Sequence, residues 1–355
     1  MKKRTSMRDI AQRAGVSVMT VSLAFRNSNR VSEKTRNRIL ELAKEMDFVR
    51  DPALSALVSY RHQDQKRKFT GSIAYLNNLD TPRITEINKH HRELFLGAKE
   101  TAEQLGYQLE EFWLKDPDLE NRLNRISQIL SARGTLGLIV GPQQAPHTSL
   151  PLNWELFSNV QLFFSLESPR LHAISTDVYS AGQRVFSELC KLGYQRIGFV
   201  SDMQTDERVH NLYSASYFTS QYKLPPHCAR LDPLILKKVE KEPLKKWFDE
   251  QKPDAVIVFM GYVIPFLQDK EFTNGKKIGI AAPYPQDEYP GIAHISIDRR
   301  VNGSQAMKLL ATLIERNEKG IPEQPLTHSI IFDWNPAKSL KQVGSPIELI
   351  HPAQR

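Results

Sequence analysis

Residues 6–26 read SMRDIAQRAGVSVMTVSLAFR, and this stretch decides how the N-terminal part of the chain folds. Ser6 can accept a hydrogen bond from an early backbone N–H, and an aspartate three residues later stands at the positive end of a helix dipole, so a helix is predicted to begin here. Gly15 lies where the chain must turn sharply, a conformation that a Cβ would oppose. Ser17 is a favourable N-cap for a second helix, Val18–Phe25. The stretch therefore predicts two short helices joined by a tight turn, the shape that places a helix in the major groove of DNA.

A third helix is predicted to cover the first two. Ser32 is its N-cap, and apolar residues follow at helical spacing: Ile39, Leu42, Ala43 and Met46. An ordinary helical hairpin is the alternative, because this shape alone does not require nucleic acid. The charge distribution favours DNA. Of the 48 Lys and Arg and 40 Asp and Glu residues, 16 and 7 lie in residues 1–68. The basic excess that attracts phosphates is therefore confined to this helical head.

The head also carries a specific combination of motifs. Asp9–Ser22 reads D-I-A-x-x-A-G-V-S-x-x-T-V-S, Arg30–Arg36 reads R-V-S-x-x-T-R, and an aromatic residue follows at Phe48. Together they make residues 1–60 resemble the N-terminus of the lactose/galactose repressor (LacI/GalR) family. The resemblance implies a homodimer that binds double-stranded DNA at palindromic half-sites and responds to a small-molecule effector.

Three residues of the second helix are predicted to read base edges: Val18, Met19 and Leu23. Helical spacing places them on one face, and the matching positions of the family contact the operator. Many relatives carry arginine where this chain has Leu23, so a thymine methyl contact is expected in place of a guanine contact. The alternative is that these apolar residues pack inward. Phosphate contacts are expected from hydroxyl residues near the helix starts and from one arginine that stands where the family usually has asparagine: Ser17, Thr20, Ser22, Ser32, Thr35 and Arg26.

Residues 51–60 predict a short hinge. Asp51 is a suitable N-cap and Pro52 suits the first helical position, but so short a helix is marginal alone in water. The resemblance implies a hinge helix that orders on DNA, pairs with its dimer mate and inserts Leu57 as a wedge into the minor groove. The alternative is a helical linker without that role. The polar, basic residues 61–70 are then the linker to the next domain.

From Gly71 the pattern changes to apolar strands that alternate with helices, which predicts parallel sheets covered on both faces. Strands are expected at residues 72–76, 107–113, 136–140, 160–166, 173–176, 196–200, 255–259, 278–281 and 329–332, and helices at 89–105, 120–132, 178–192, 208–222 and 300–316. These are too many strands for one compact unit, so two α/β subdomains are expected.

This body resembles the periplasmic-binding-protein-like domain of the same family, best over residues 177–199. The expected fold is therefore a small all-α helix-turn-helix head at residues 1–50, followed by the hinge helix and the linker. An α/β body of two subdomains with parallel sheets then covers residues 71–355 and supplies ligand binding and dimerisation.

The cleft between the subdomains is the expected effector site, because ligands favour domain interfaces and the carboxyl ends of parallel strands. Arg208 is expected to open a helix after one such strand, and it matches the family's effector-binding arginine; a surface arginine is the alternative. Tyr75 and Asn77, at the end of the first strand, are further candidates. Residues 260–261 (Met-Gly) and 281–284 (Ala-Ala-Pro-Tyr) replace polar stretches of the family. Since a sugar needs polar partners for its hydroxyls, a simple monosaccharide is the less expected effector.

Several function classes find no support. The sequence contains no Walker loop, GxGxxG, HExxH or GxSxG motif, so no enzyme activity and no cofactor are expected. His90 and His91 have no partner at metal-ligand spacing and are expected at the surface. No apolar run reaches the length of a membrane span, and the N-terminus lacks the apolar region of a signal peptide, which favours the cytoplasm.

The expected function is a sequence-specific, DNA-binding transcriptional regulator whose operator binding is modulated by a sugar or sugar-like effector. Two alternatives stay open. The first is a constitutive DNA-binding protein whose body only dimerises. The second is a sugar- or nucleoside-processing enzyme fused to a DNA-binding head.

Overall fold

A computed structural model of the protein describes residues 6–25, 31–46, 48, 71–117 and 123–350. The head forms α1 (Met7–Ala14), α2 (Val18–Phe25) and α3 (Glu33–Glu45). A capping box begins α1: the backbone N–H of Ser6 donates to Asp9 Oδ2 at 2.7 Å, and the Ser6 hydroxyl accepts from the Asp9 N–H. Gly15 ends α1 with a φ of 64°, the left-handed conformation that favours glycine. The predicted helix-turn-helix head is thereby confirmed.

The first subdomain of the body contains β1 (Gly71–Asn77), α4 (Ile84–Ile87), α5 (Lys89–Leu105), β2 (Tyr107–Trp113), α6 (Leu123–Ala132), β3 (Thr135–Val140), β5 (Ser158–Leu162), β7 (His172–Thr176), α12 (Arg299–Arg316) and β13 (Thr327–Ile330), with a short parallel pair of β4 (Thr148–Ser149) and β6 (Leu166–Ser168). Its main sheet is parallel and has six strands in the order β13-β7-β5-β3-β1-β2. The interior strand β1 is buried on both faces: Ile73 and Tyr75 join one apolar core, whereas Ala74 and Leu76 join another. The edge strand β13 is mostly exposed.

The second subdomain has its own six-stranded sheet and a separate apolar core. Its elements are α7 (Val178–Lys191), β8 (Ile197–Asp202), α8 (Met203–Glu207), α9 (Leu212–Tyr222), β9 (Leu234–Leu236), α10 (Lys241–Gln251), β10 (Ala255–Val258), α11 (Ile264–Gln268), β11 (Gly279–Ala282), β12 (Ala293–Ile295) and β14 (Trp334–Asn335). The strand order is β14-β12-β11-β10-β8-β9, and the edge strand β14 alone of these runs antiparallel to its neighbour. Two parallel-sheet subdomains confirm the predicted fold class.

The chain passes between the two sheets after β7, after β12 and after β13. The second passage leads directly into α12, which packs against α5 of the first subdomain. Two glycines allow this close approach. A Cβ at Gly303 would stand 1.9 Å from the carbonyl oxygen of Leu94, and a Cβ at Gly97 would stand 2.1 Å from that of Arg300. The N-terminus of α12 is thus fixed at the boundary between the subdomains.

Two predicted elements are wrong in their bounds, and backbone conformation is the reason in both cases. The helix expected at 208–222 begins only at Leu212, as α9, and the short α8 precedes it, because His210 and Asn211 adopt φ values of 55° and 59° between the two. The strand expected at 160–166 ends at Leu162, because Phe163 adopts a φ of 61°. Positive φ at residues other than glycine is uncommon, and residue type alone does not reveal it.

Helix α10 has no counterpart among the predictions. Its sequence is dominated by charged residues, yet Leu244, Trp247 and Phe248 are buried. Their spacing of three and four residues is the signal that could have identified it. Among the described residues, no helix is both long enough and apolar enough to cross a membrane.

Candidate functional sites

The solvent-facing side of α2 carries two of the three residues predicted to read bases. Val18 is 41% exposed and Met19 is 69% exposed, whereas Val21 and Ala24 are buried in the core of the head. Leu23 is half-buried and packs against that core. Helix α2 therefore presents Val18 and Met19 as free apolar side chains, with Leu23 at the edge between surface and core.

A pair of hydroxyl groups caps each of α2 and α3. The Ser17 hydroxyl accepts from the Thr20 N–H at 3.0 Å and lies 2.9 Å from the Thr20 hydroxyl. Ser32 and Thr35 repeat the arrangement at 3.3 and 2.8 Å. Hydroxyl groups beside the positive end of a helix suit phosphate oxygens, so this geometry is compatible with the predicted phosphate contacts.

Other predicted DNA contacts lie where the structure gives no information. Arg26, Leu57 and the side chain of Ser22 are outside the described residues, as are the hinge at 51–60 and the linker at 61–70. Their roles stay predictions.

Arg208 lies in the cleft between the subdomains. Its Nη1 donates to the carbonyl oxygen of Gln143 at 2.5 Å, across the cleft in the loop that follows β3. Burial lowers the pKa of Arg208 and nearby Asp202 opposes that shift, so the group stays cationic at neutral pH. The prediction that Arg208 opens a helix is wrong, because it follows the last residue of α8 and caps that helix.

Asn77 and Tyr75, the two candidate effector-binding residues of β1, differ in whether their polar groups are already hydrogen-bonded within the protein. Asn77 is 1% exposed, and its Nδ2 donates to Thr81 O at 2.9 Å and to Glu111 Oε1 at 2.8 Å. Its Oδ1 accepts from the Leu79 N–H at 3.0 Å. The side-chain amide of Asn77 therefore uses its hydrogen-bonding groups to stabilise the loop after β1. This geometry gives no support to a direct effector contact by Asn77.

Tyr75, in contrast, has a free polar group. The side chain is fully buried, and its hydroxyl has no hydrogen-bond partner among the described residues. Its ring packs edge-on against Phe95 and lies beside Gly141, at the carboxyl end of β3. Burial raises the pKa of Tyr75, so the phenol stays protonated and can donate. An unpaired buried hydroxyl is costly, and this keeps Tyr75 a candidate for contact with a bound molecule.

Arg299 is the main cleft residue that sequence reasoning missed. It is the first residue of α12, and its guanidinium carbon lies 5.0 Å from the ring centroid of Phe163, a residue of the first subdomain. Burial lowers its pKa, and Tyr213 and Tyr284 are the groups that raise it. The rule that ligands collect at the carboxyl ends of parallel strands would have pointed to Arg299 had it been applied to β12.

His91, expected at the surface, is only partly exposed and lies beside the same cleft. It is half-buried on α5, and Nδ1 lies 2.9 Å from Asn88 Oδ1. Burial, followed by the positive fields of His90, Arg208 and Arg299, lowers the pKa of His91 to about 4. Its imidazole is therefore neutral at physiological pH.

We expect His91 to make the protein less stable as the pH falls from about 6.5 to about 4, because its folded-state pKa of about 4 lies below the ordinary value of 6.5. In that window the unfolded chain binds a proton at His91 and the folded chain does not, so stability is complete above the window and is lost on acidification. The upper bound is about 3 kcal/mol, from about 1.4 kcal/mol per pKa unit.

Urea unfolding at pH 7 and pH 5 measures this effect. His91→Gln should reduce the difference in unfolding free energy between the two pH values, whereas His227→Gln, at an exposed histidine, should leave it as in the native chain. An unchanged pH dependence in His91→Gln would contradict the assignment.

Ionic and polar contacts also join the two subdomains along the rim of the cleft. Lys89 Nζ lies 2.9 Å from Asp287 Oδ1, and His90 Nε2 lies 3.7 Å from Asp287 Oδ2. Gln204 donates to the carbonyl oxygen of Gln144 at 3.4 Å. These contacts link the two subdomains beside the candidate effector site.

Comparison with known proteins agrees with this architecture. Residues 6–51 match the profile described as "Bacterial regulatory proteins, lacI family". The sucrose operon repressor of Escherichia coli is 27% identical over 191 residues, which is 54% of this chain and 54% of that protein. The chain spans 27% to 56% of the length of the curated relatives it matches.

Two solved structures share the fold over nearly the whole chain. The lac repressor dimer bound to operator and the anti-inducer ONPF has a TM-score of 0.54 at 15% identity, covering 95% of this chain and 99% of that one. The complex of the transcriptional regulator CelR with cellobiose has a TM-score of 0.55 at 15% identity, covering 95% and 100%.

The chain thus joins a helix-turn-helix head to a body of two parallel-sheet subdomains. The head, over residues 6–51, is similar to the DNA-binding domain of the lacI family of bacterial regulatory proteins. The body shares its fold with the lac repressor and with the regulator CelR.

Proposed function

We propose that this chain is a sequence-specific, DNA-binding transcriptional regulator whose operator binding is modulated by a small-molecule effector. It acts in the cytoplasm as a homodimer on a palindromic operator, without enzymatic activity. The observation that carries the proposal is the head, where a capped helix-turn-helix presents exposed Val18 and Met19 on α2.

In this proposal, successive segments of the chain have different roles. Residues 1–50 form the DNA-binding domain, 51–60 the hinge helix with Leu57 as its minor-groove wedge, 61–70 the linker and 71–355 the effector-binding and dimerisation body. Phosphate contacts by Ser17, Ser32 and their neighbours fix the register of the head, and α2 reads the bases. The head supplies specificity, and the body sets the distance between two heads.

The cleft supplies regulation. Arg208 belongs to the second subdomain and donates to the carbonyl oxygen of Gln143 in the first, where Tyr75 holds a buried hydroxyl without a hydrogen-bond partner among the described residues. A ligand that binds one subdomain arrangement better than another shifts the population of that arrangement. By linkage, DNA must then change the affinity for the ligand by the same factor. Relatives named for sucrose operon regulation and for a cellobiose complex support a sugar or sugar-like effector.

Selection of binding sites from random duplex DNA with the full chain tests the proposal. We expect a palindromic consensus with two equal half-sites, because two identical heads bind it. Affinity for that palindrome should fall at least about tenfold between 50 and 200 mM salt, because phosphate contacts release counterions. Enrichment of no sequence, or of one unpaired half-site, would contradict a dimeric, sequence-specific regulator.

Substitutions at Met19 and Leu23 are expected to distinguish an effect on base recognition from an effect on the stability of the head. Met19→Ala should leave the unfolding free energy within about 0.5 kcal/mol of native, since Met19 is 69% exposed, but should change the preferred base at its half-site position. Leu23→Ala should cost about 1–2 kcal/mol, because its side chain packs on the core of the head. Unfolding curves and repeated selections check both; equal stability losses in the two variants would contradict the assigned reading face.

The second candidate function is constitutive DNA binding by a protein whose body only dimerises. This alternative differs from the effector-modulated regulator in one measurable property: its DNA affinity does not change when a small molecule is added. A broad metabolite panel that leaves DNA affinity unchanged favours this alternative, and turnover of any member of the panel favours the enzyme alternative.

A further inference from the structure

Arg299 and Arg300 are sequence neighbours with opposite electrostatic surroundings. The guanidinium of Arg300 binds Glu93 and lies 2.6 Å from Glu100, both on α5. Arg299 lies over the ring of Phe163 instead and forms no ion pair with a carboxylate among the described residues. A half-buried cation without an anionic partner is costly, since charges removed from water are normally paired.

The aromatic residues around Arg299 do not neutralise it. Tyr213 is 5% exposed, and burial raises its pKa to about 12. Burial also raises the pKa of Tyr284, whose hydroxyl donates to the carbonyl oxygen of Phe259. Both phenols are therefore neutral at physiological pH. They give the cleft an apolar wall with polar edges, and the positive charge of Arg299 stays uncompensated.

Arg208 brings a second cation into the same space. Its hydrogen bond to Gln143 goes to a backbone carbonyl, which carries no net charge. Asp202, the carboxylate that acts on Arg208 electrostatically, is engaged with Thr205: it accepts from the backbone N–H at 2.7 Å and from the hydroxyl at 2.9 Å. Arg208 contacts the loop after β3 and Arg299 lies over the ring of Phe163 directly after β5, so both cations meet the cleft side of the first subdomain.

We propose that the effector of this cleft is a small organic anion whose carboxylate or phosphate oxygens bind between Arg208 and Arg299, with its body against the aromatic wall of Phe163 and Tyr213. The inference rests on the proposed function and names the ligand class of its effector site. A planar guanidinium presents paired donors that match both oxygen groups. Such an anion removes the charge imbalance of the cleft, whereas a neutral sugar leaves it.

The test uses the full chain and matched probes. Glucose, glucuronate and glucose 6-phosphate share one ring, as do galactose, galacturonate and galactose 6-phosphate, and each set is measured at equal concentration by thermal shift and calorimetry. We expect an anion to bind at least tenfold tighter than its neutral counterpart. Tighter binding of glucuronate or galacturonate than of the sugar phosphates identifies the effector class as a sugar acid. Tighter binding of a sugar 6-phosphate identifies it as a phosphate ester. A neutral sugar that binds as tightly as its anions, or no binding by any anion, overturns the proposal.

Variants of the two arginines locate the site. Arg299→Met should weaken binding of the best anion at least tenfold, and Arg299→Lys, which keeps the charge, should weaken it less. Arg316→Met, at the opposite and exposed end of α12, is the matched control and should bind as the native chain does. Should Arg299→Met not fold, Arg299→Lys and Arg208→Lys provide the comparison. Native affinity in the Arg299 variants overturns the proposal.

DNA binding to the selected palindrome is measured in parallel by fluorescence anisotropy. A protein that binds the palindrome but responds only to neutral sugars rejects the anionic effector and leaves the proposed function intact. A protein that binds an anion through Arg299 but no DNA sequence rejects the proposed function and supports the anion site.

Discussion

The isolated residues 1–60 are expected to bind the selected palindrome at least about 100-fold more weakly than the full chain. Two heads held by one dimeric body bind as a linked pair, so the second head binds at a high effective concentration, which adds a factor of about 10²–10⁴ without any new contact. If residues 51–60 form the proposed hinge helix, the isolated segment also loses the dimer mate that this helix would pack against, because so short a helix is marginal alone. Fluorescence anisotropy at fixed salt measures both affinities.

A fusion of residues 1–60 to an unrelated dimeric coiled coil is the control. It should recover a large part of the lost affinity, which separates loss of dimerisation from misfolding of the head. The head has its own apolar core, built around Ile10, Val21 and Ile39, so it has the means to fold in both forms. Equal affinity of the monomeric segment and the full chain would contradict the dimeric mode of binding.

Gly303→Ala is expected to destabilise the first subdomain by at least about 3 kcal/mol, at the upper end of the cost of overpacking a core. The added Cβ would stand 1.9 Å from the carbonyl oxygen of Leu94 and 2.9 Å from the backbone nitrogen of Ala98. Both atoms belong to the backbone of α5, so no side-chain rotation relieves the overlap, and α12 must move away. Because α12 begins at Arg299, the same displacement should weaken effector binding in the cleft.

Gly291→Ala is the matched control, since no atom lies within 4 Å of the Cβ it would add. Its unfolding midpoint in urea should stay close to that of the native chain, while the midpoint of Gly303→Ala falls. Equal midpoints would show that α5 and α12 do not pack through Gly303 as described.

The sequence by itself determined the head. The Ser6 cap, the Gly15 turn and the Ser17 and Ser32 caps act between residues a few positions apart, so each is visible as a short pattern. In the structure each of the three helices begins directly after its predicted cap. The body's class was also predictable, because apolar strands that alternate with helices leave few other arrangements. These properties depend on local interactions and on periodicity.

The cleft was decided by tertiary structure. Its charged and aromatic groups come from distant parts of the chain and meet only where the carboxyl ends of two sheets face each other: His91, Phe163, Arg208, Tyr213 and Arg299. No local pattern distinguishes the unpaired Arg299 from the paired Arg300, because the carboxylates that make the difference lie on α5, about two hundred positions earlier in the chain. Whether a buried charge is paired depends on contacts across the fold, and for that physical reason the ligand class could be inferred only once both subdomains were in place.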